Sequence, residues 1–169
     1  MKLSRPVIFG AVALALAAGA GLAWRGLSTH ERVPEVSYTL LDGTAGSTAQ
    51  WQGKVVLVNF WATSCTTCMH EMPQIVSTYE KYKVRGYETV AVAMSYDPAD
   101  FVANYAQTRK LPFRVAHDKS GTIAQRFGNV QLTPTSVLIN KRGEIVKRYV
   151  GEPYFAALHQ LVEQLLAES

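Results

Sequence analysis

The sequence predicts an α/β fold with a mixed central sheet flanked by helices. Three observations lead to it. Runs of apolar β-formers alternate with helical patterns from residue 55 onward. Two of those runs, Val55 to Trp61 and Tyr87 to Ser95, are apolar on both faces, as central strands covered by helices on each side are. The chain then closes with a hairpin and one amphipathic helix, which adds antiparallel strands to a sheet begun in parallel.

The elements follow in order. Val36 to Leu41 reads as a strand that enters a hairpin at Asp42-Gly43, continued by the small polar run to Ala49. The first buried strand is Val55 to Trp61. A helix is expected over Thr66 to Lys83, with Cys68, Met72, Ile75, Val76 and Tyr79 as its buried stripe. Pro73 falls inside it and should kink it, and Gly86 ends it. After the second buried strand, Asp97-Pro98 opens a helix over Ala99 to Arg109, packed through Phe101, Val102 and Tyr105. Pro112 to Ala116 is a short strand, Asp118 to Gly121 a turn and Thr122 to Phe127 a short helix. Thr135 to Asn140 and Glu144 to Val150 form a hairpin through Lys141-Arg142-Gly143, and Phe155 to Leu166 is the last helix.

Ahead of this domain lies a different kind of segment. Lys2 and Arg5 precede Val7 to Trp24, eighteen residues without a charge. That length fits a transmembrane helix or a long signal-peptide core. Ala18-Gly19-Ala20 offers a small-residue cleavage site. The apolar run nevertheless continues to Trp24-Arg25, a pair suited to a membrane interface. Gly10, Gly19 and Gly21 disfavour a soluble core helix. We read residues 1–25 as a signal-anchor crossing the cytoplasmic membrane through residues 6–24, with a cleaved signal peptide as the alternative. Residues 26–34 are a tether, and residues 35–169 are one domain. Lys2 and Arg5 orient that domain to the extracytoplasmic, periplasmic side, where thiols do not stay reduced without help.

Composition excludes some functions. The chain is 48% hydrophobic and has no low-complexity stretch. Its net charge of +4 falls to +2 once Lys2 and Arg5 are set aside, and the remaining charges are scattered. Lys141-Arg142 and Lys147-Arg148 flank a turn and read as a solvated hairpin, so no nucleic-acid partner is expected.

The chemistry is concentrated in Phe60-Trp61-Ala62-Thr63-Ser64-Cys65-Thr66-Thr67-Cys68, which holds the only two cysteines of the 169 residues. A CxxC pair after a strand and at the start of a helix is a thioredoxin-like redox signature. So small a ring contributes little loop-closure entropy, so the pair's value lies in reacting. Cys65, at the first turn, gains from the helix dipole and free amides and is the expected nucleophile. Cys68, one turn in and on the buried stripe, is the resolving thiol. Cys65, Cys68, Met69 and His70 are also soft or borderline metal ligands. A structural zinc site needs four ligands, and His30, His117 and His159 are scattered, so neither a metal nor a cofactor is expected. A peroxidatic pattern lacks its proline.

These residues resemble the TlpA, ResA and CcmG group of bacterial membrane-anchored, thioredoxin-like thiol–disulfide oxidoreductases. The resemblance runs from about Val36 to Leu166. It rests on Val56-Leu57-Val58-Asn59-Phe60-Trp61-Ala62, Cys65 and Cys68, Glu71 and Pro73, Leu132-Thr133-Pro134-Thr135, and the segment between the second buried strand and Asp118. It implies a thioredoxin-like fold with an N-terminal hairpin extension and a central insertion. By that resemblance Cys65 and Cys68 form a redox-active disulfide, and Pro134 is the cis-proline packed beside it. By the same resemblance Trp61, Ser64, Thr133 and Pro134 are the substrate-binding residues, with the Thr133 backbone facing the substrate as a strand edge and Trp61 packed under the site. Two positions depart from the pattern. Asn59 stands where thioredoxins carry a buried aspartate, as is common in the TlpA group. Ser64 stands where most relatives have Trp, leaving a smaller and more polar mouth to the substrate surface. Glu71 has two readings: a carboxylate that tunes the thiols or takes their proton, or a surface residue in the first turns of a helix.

The resemblance implies a protein disulfide reductase. It would take electrons from a membrane thiol donor and pass them to an oxidised client protein of cytochrome c biogenesis or of copper or oxidase assembly. The rivals are a disulfide-donating oxidase using the same site and a copper-binding chaperone using the CxxC as ligands.

Overall fold

The computed structural model describes residues 31–168. The expected membrane segment and most of the tether lie outside the described residues. β1 (Ser37–Thr39) and β2 (Ala45–Ser47) form a two-stranded antiparallel sheet, followed by a 3-10 turn over Thr48–Trp51. Next come β3 (Val55–Trp61), α1 (Thr66–Tyr82), a 3-10 turn at Lys83–Arg85 and β4 (Tyr87–Ala93). α2 (Ala99–Thr108), β5 (Arg114–His117) and α3 (Thr122–Arg126) lead to the hairpin of β6 (Thr135–Ile139) and β7 (Ile145–Val150), and α4 (Phe155–Ala167) ends the fold.

The main sheet has the order β5-β4-β3-β6-β7. β3 pairs in parallel with β4 and antiparallel with β6, so the sheet is mixed as the alternation predicts. All seven residues of β3 are buried because the strand is covered on both faces. Its odd positions Val55, Leu57 and Trp61 enter a cluster with Cys68, Met72 and Ile75 of α1, Val102 of α2, and Leu158 and Val162 of α4. Its even positions Val56, Val58 and Phe60 enter a second cluster with Tyr38, Trp51, Ile123 and Phe127. Helices α1, α2 and α4 therefore cover one face, and the β1–β2 hairpin with α3 covers the other.

Element positions match expectation, with ends shifted by at most two residues. Two packing faces differ. On α1 the fully buried residues are Cys68, Glu71, Met72, Ile75, Thr78 and Tyr82, while Val76 and Tyr79 are half-buried. The spacing is still helical, but the stripe carries two polar residues that an apolar count passes over. On α2 the buried face runs through Val102, Tyr105 and Ala106, which puts Phe101 on the outside at 59% exposed. Pro73 lies inside α1, as expected. Gly86 follows the 3-10 turn in the left-handed region (φ 92°), where a residue without Cβ is favoured.

The hairpin is fixed to the second cluster by a close backbone approach. Trp51 Nε1 donates to the Tyr38 hydroxyl at 3.1 Å. A Cβ at Gly46 would lie 2.2 Å from the edge of that buried Tyr38 ring. Gly46→Ala is therefore expected to lower unfolding stability by about 1–3 kcal/mol through overpacking, read in a denaturant titration. An unchanged midpoint would show that the hairpin yields freely.

Candidate active site

At the C-terminal end of β3 the chain leaves the sheet and reaches α1 through Ala62-Thr63-Ser64-Cys65. Cys65 is the N-cap of α1, with extended backbone (φ −88°, ψ 104°). An N-cap side chain normally accepts a hydrogen bond from the amide two or three residues on. Here sulfur takes that place: the Cys68 amide donates to Cys65 Sγ at 3.1 Å. Cys65 and Cys68 are joined as a disulfide with a Cα–Cα distance of 5.2 Å. Cys65 is half-buried and Cys68 fully buried, so only one sulfur of the pair is open to attack from outside. Ser64 is exposed beside it.

The second wall comes from the loop before β6. The Thr133–Pro134 bond is cis. Because Thr135 pairs with Phe60, Pro134 falls level with Trp61, at the same end of the sheet as the cysteines. Gly151 donates its amide to the Pro134 carbonyl at 2.8 Å, and the Tyr96 hydroxyl hydrogen-bonds to Thr133 Oγ1 at 3.2 Å. Trp61 is fully buried against the Tyr105 ring, with centroids 5.3 Å apart. It therefore packs beneath the site, as expected, and it cannot touch a substrate. Grouping it with the substrate-facing residues does not survive: its strand is covered on both faces.

Glu71 is not a surface residue. It is fully buried one turn after Cys68 on the same stripe of α1. Asn59 Nδ2 donates to Glu71 Oε1 at 2.8 Å and to Ser136 Oγ at 3.0 Å. Among the described residues Glu71 Oε2 has no hydrogen-bond partner. Removal from water pushes its pKa up from 4.5 to about 7; the Asn59 bond pulls it down, and the Glu152 charge adds to the rise. Glu152 itself is paired with exposed His70 at 3.0 Å. The carboxyl thus changes charge near neutral pH, as a proton acceptor for a thiol needs to.

Sequence reasoning missed two members of this site. Asn59 was noted for the acid it replaces, but not as the residue that holds Glu71. An amide facing a helix-borne glutamate across a buried strand could have been found only from the odd face of β3 and the α1 stripe together. Asp97 reads in the sequence as a helix opener. The cap of α2 is Pro98, while Asp97 is 2% exposed and accepts from the Thr63 amide at 2.6 Å and the Thr63 hydroxyl at 2.5 Å. No local pattern links it to a residue in the loop between β3 and α1.

Comparison with known proteins agrees with this geometry. The Redoxin family profile matches residues 29–163. The thiol-disulfide oxidoreductase ResA of Bacillus thuringiensis is 32% identical over 160 residues, covering 94% of this chain and 91% of that protein. The solution structure of a thioredoxin-type protein from Neisseria meningitidis is 42% identical with a TM-score of 0.77, covering 82% of this chain and 93% of that one. A thiol:disulfide interchange protein of the thioredoxin family from Chlorobium tepidum is 27% identical with a TM-score of 0.75, covering 83% and 99%. With an N-terminal CxxC disulfide on α1 and a cis-proline loop level with it, the chain belongs to the redoxin family and is a thiol–disulfide oxidoreductase of the thioredoxin-like fold.

Proposed function

We propose that this domain is a protein disulfide reductase held on the extracytoplasmic side of the bacterial cytoplasmic membrane. In that reading residues 6–24 anchor it, a membrane thiol donor reduces it, and it reduces specific oxidised client proteins. The client classes follow from the family resemblance: proteins of cytochrome c maturation or of copper and oxidase assembly. The placement rests on the apolar run behind Lys2 and Arg5.

The observation that carries the chemistry is Cys65 as its own helix N-cap. When the pair is reduced, the Cys68 amide and the helix dipole both favour a thiolate at Cys65. That thiolate attacks one sulfur of the client disulfide. A Cys65–client disulfide forms, and the client's other sulfur leaves as a thiolate that takes a proton. Cys68 then loses its proton, with Glu71 as acceptor, and attacks Cys65 Sγ. The Cys65–Cys68 disulfide forms, and the client's second sulfur leaves and is protonated. Two electrons pass to the client, and the domain ends in the disulfide state. Extended client chain would lie along the Thr133 edge, with Pro134 and Ser64 flanking the attacked bond. Thr66 and Thr67 put no charge between the cysteines, and an ionised Glu71 works against the thiolate. Both features favour the reducing direction over the donating one.

Role assignment is tested by trapping. Cys68→Ser is expected to accumulate mixed disulfides on Cys65, and brief alkylation of the reduced protein should label Cys65 well before Cys68. Equal labelling, or adducts mainly at Cys68, would reverse the assignment.

The role of Glu71 has a pH signature. Its native pKa lies above its unfolded value, so it favours folding fully below about pH 4.5, and that contribution is lost as pH rises through about 7. Glu71→Gln should therefore gain on the wild type by about 3 kcal/mol between those limits, read as denaturant midpoints at pH 4 and pH 8. The same variant should ionise Cys65 at lower pH yet release mixed disulfides more slowly. A pH-independent stability gap together with wild-type release would reduce Glu71 to a packing residue.

A further inference from the structure

We infer that Asp97 is the positioning residue for the nucleophile, acting on Cys65 through Thr63. Ala62 to Cys65 lies between β3 and α1, outside both strand and helix. Its internal backbone restraint is one bond, from the Cys65 amide to the Ala62 carbonyl at 3.1 Å. The direction in which Cys65 leaves the sheet therefore depends on what holds Thr63. Asp97 commits both carboxylate oxygens to that one residue, at 2.6 Å to the amide and 2.5 Å to the hydroxyl. Charge-assisted bonds this short are the strong class, and two of them from one planar group fix orientation as well as distance.

The group that holds Thr63 is itself held. Asp97 donates its amide to the Met94 carbonyl at 3.0 Å, and the Met94 amide donates to the Trp61 carbonyl at 2.9 Å. The neighbouring Tyr96 hydroxyl reaches Thr133 Oγ1. One turn thus joins the end of β3, the loop carrying Cys65 and, through the exposed Tyr96–Thr133 bond, the cis-proline loop. Asp97 also places a negative charge on the N-terminal side of α1, where it competes with a Cys65 thiolate for the positive helix end. The other titratable side chains on α1 near this end are bonded elsewhere. Glu71 is on the buried face against Asn59, and His70 is exposed and paired with Glu152 from the turn after β7.

The test uses the full chain in the reduced state and oxidised glutathione as the probe. A small disulfide does not need the client surface, so failure here leaves the proposed client reduction untouched. Asp97→Ala loses both bonds and the charge. It is expected to slow the reaction of Cys65 by about 10-fold or more, as loss of alignment at a reacting atom does, even at a pH where the thiol is fully ionised. Asp97→Asn keeps one acceptor and removes the charge. It should slow the reaction less and move the midpoint of the Cys65 alkylation profile to lower pH. Thr63→Val removes only the hydroxyl bond and should slow the reaction without moving the midpoint. Should Asp97→Ala not fold, the Asn and Thr63 variants carry the test. Wild-type rates and midpoints in the variants that fold, whatever their stability, would overturn the inference and leave Asp97 a packing residue.

Discussion

The rest of the site depends on a hydrogen bond from the Cys68 amide to Cys65 Sγ. It exists because β3 is buried on both faces and locked between β4 and β6, so the position of its last residue is fixed. The chain must turn there and start a helix within four residues. The first residue of that helix needs a side-chain acceptor for an amide that has no partner. A cysteine supplies sulfur for the purpose, and the amide that reaches it belongs to the third residue on. The CxxC spacing is thus an N-cap-to-N3 spacing. The geometry that closes the disulfide also stabilises the thiolate when the disulfide opens.

A buried polar group sits behind this end of the sheet. Asn59 faces α1 from within an otherwise apolar strand, and Glu71 faces it from the helix. A carboxyl without water, and with one oxygen unpaired among the described residues, is costly as an anion, so its pKa rises to about 7 and it changes charge near neutral pH. Thioredoxins place an acid on the strand; this chain places an amide on the strand and the acid on the helix. The amide orients the carboxyl without competing for its proton. Asp97 differs in both respects, since both of its oxygens are bonded and its partners are a backbone amide and a hydroxyl rather than a side-chain amide. Two carboxyl groups near one thiol pair are thereby given separate tasks by their surroundings.

Most of the architecture was legible in the sequence because it follows from periodicity. Val55 to Trp61 reads as a doubly covered strand, and the structure buries all seven residues. The cysteine pair and the closing hairpin were legible for the same kind of reason, as local patterns; the cis bond before Pro134 was legible only through the family resemblance, because an X–Pro bond on its own prefers trans. Phe101 was misplaced because two helical stripes, one residue apart, fit a short helix equally well, and only the sheet decides between them. The burial of Glu71 and the role of Asp97 were not legible. A glutamate in an early helix turn and an aspartate before a proline each have a local explanation that suffices. Their actual partners, Asn59 and Thr63, stand 12 and 34 residues away in sequence.

The direction of electron flow is set by the reduction potential of the Cys65–Cys68 pair. Equilibration with dithiothreitol or glutathione, followed by the fluorescence of buried Trp61, reads it. For a reductase the expected value is nearer thioredoxin's, about −270 mV, than that of the strong oxidant DsbA at about −120 mV. The pair has no intervening charge to hold the thiolate, and two carboxyl groups nearby oppose it. A value above about −150 mV would contradict this and make the domain a donor of disulfides.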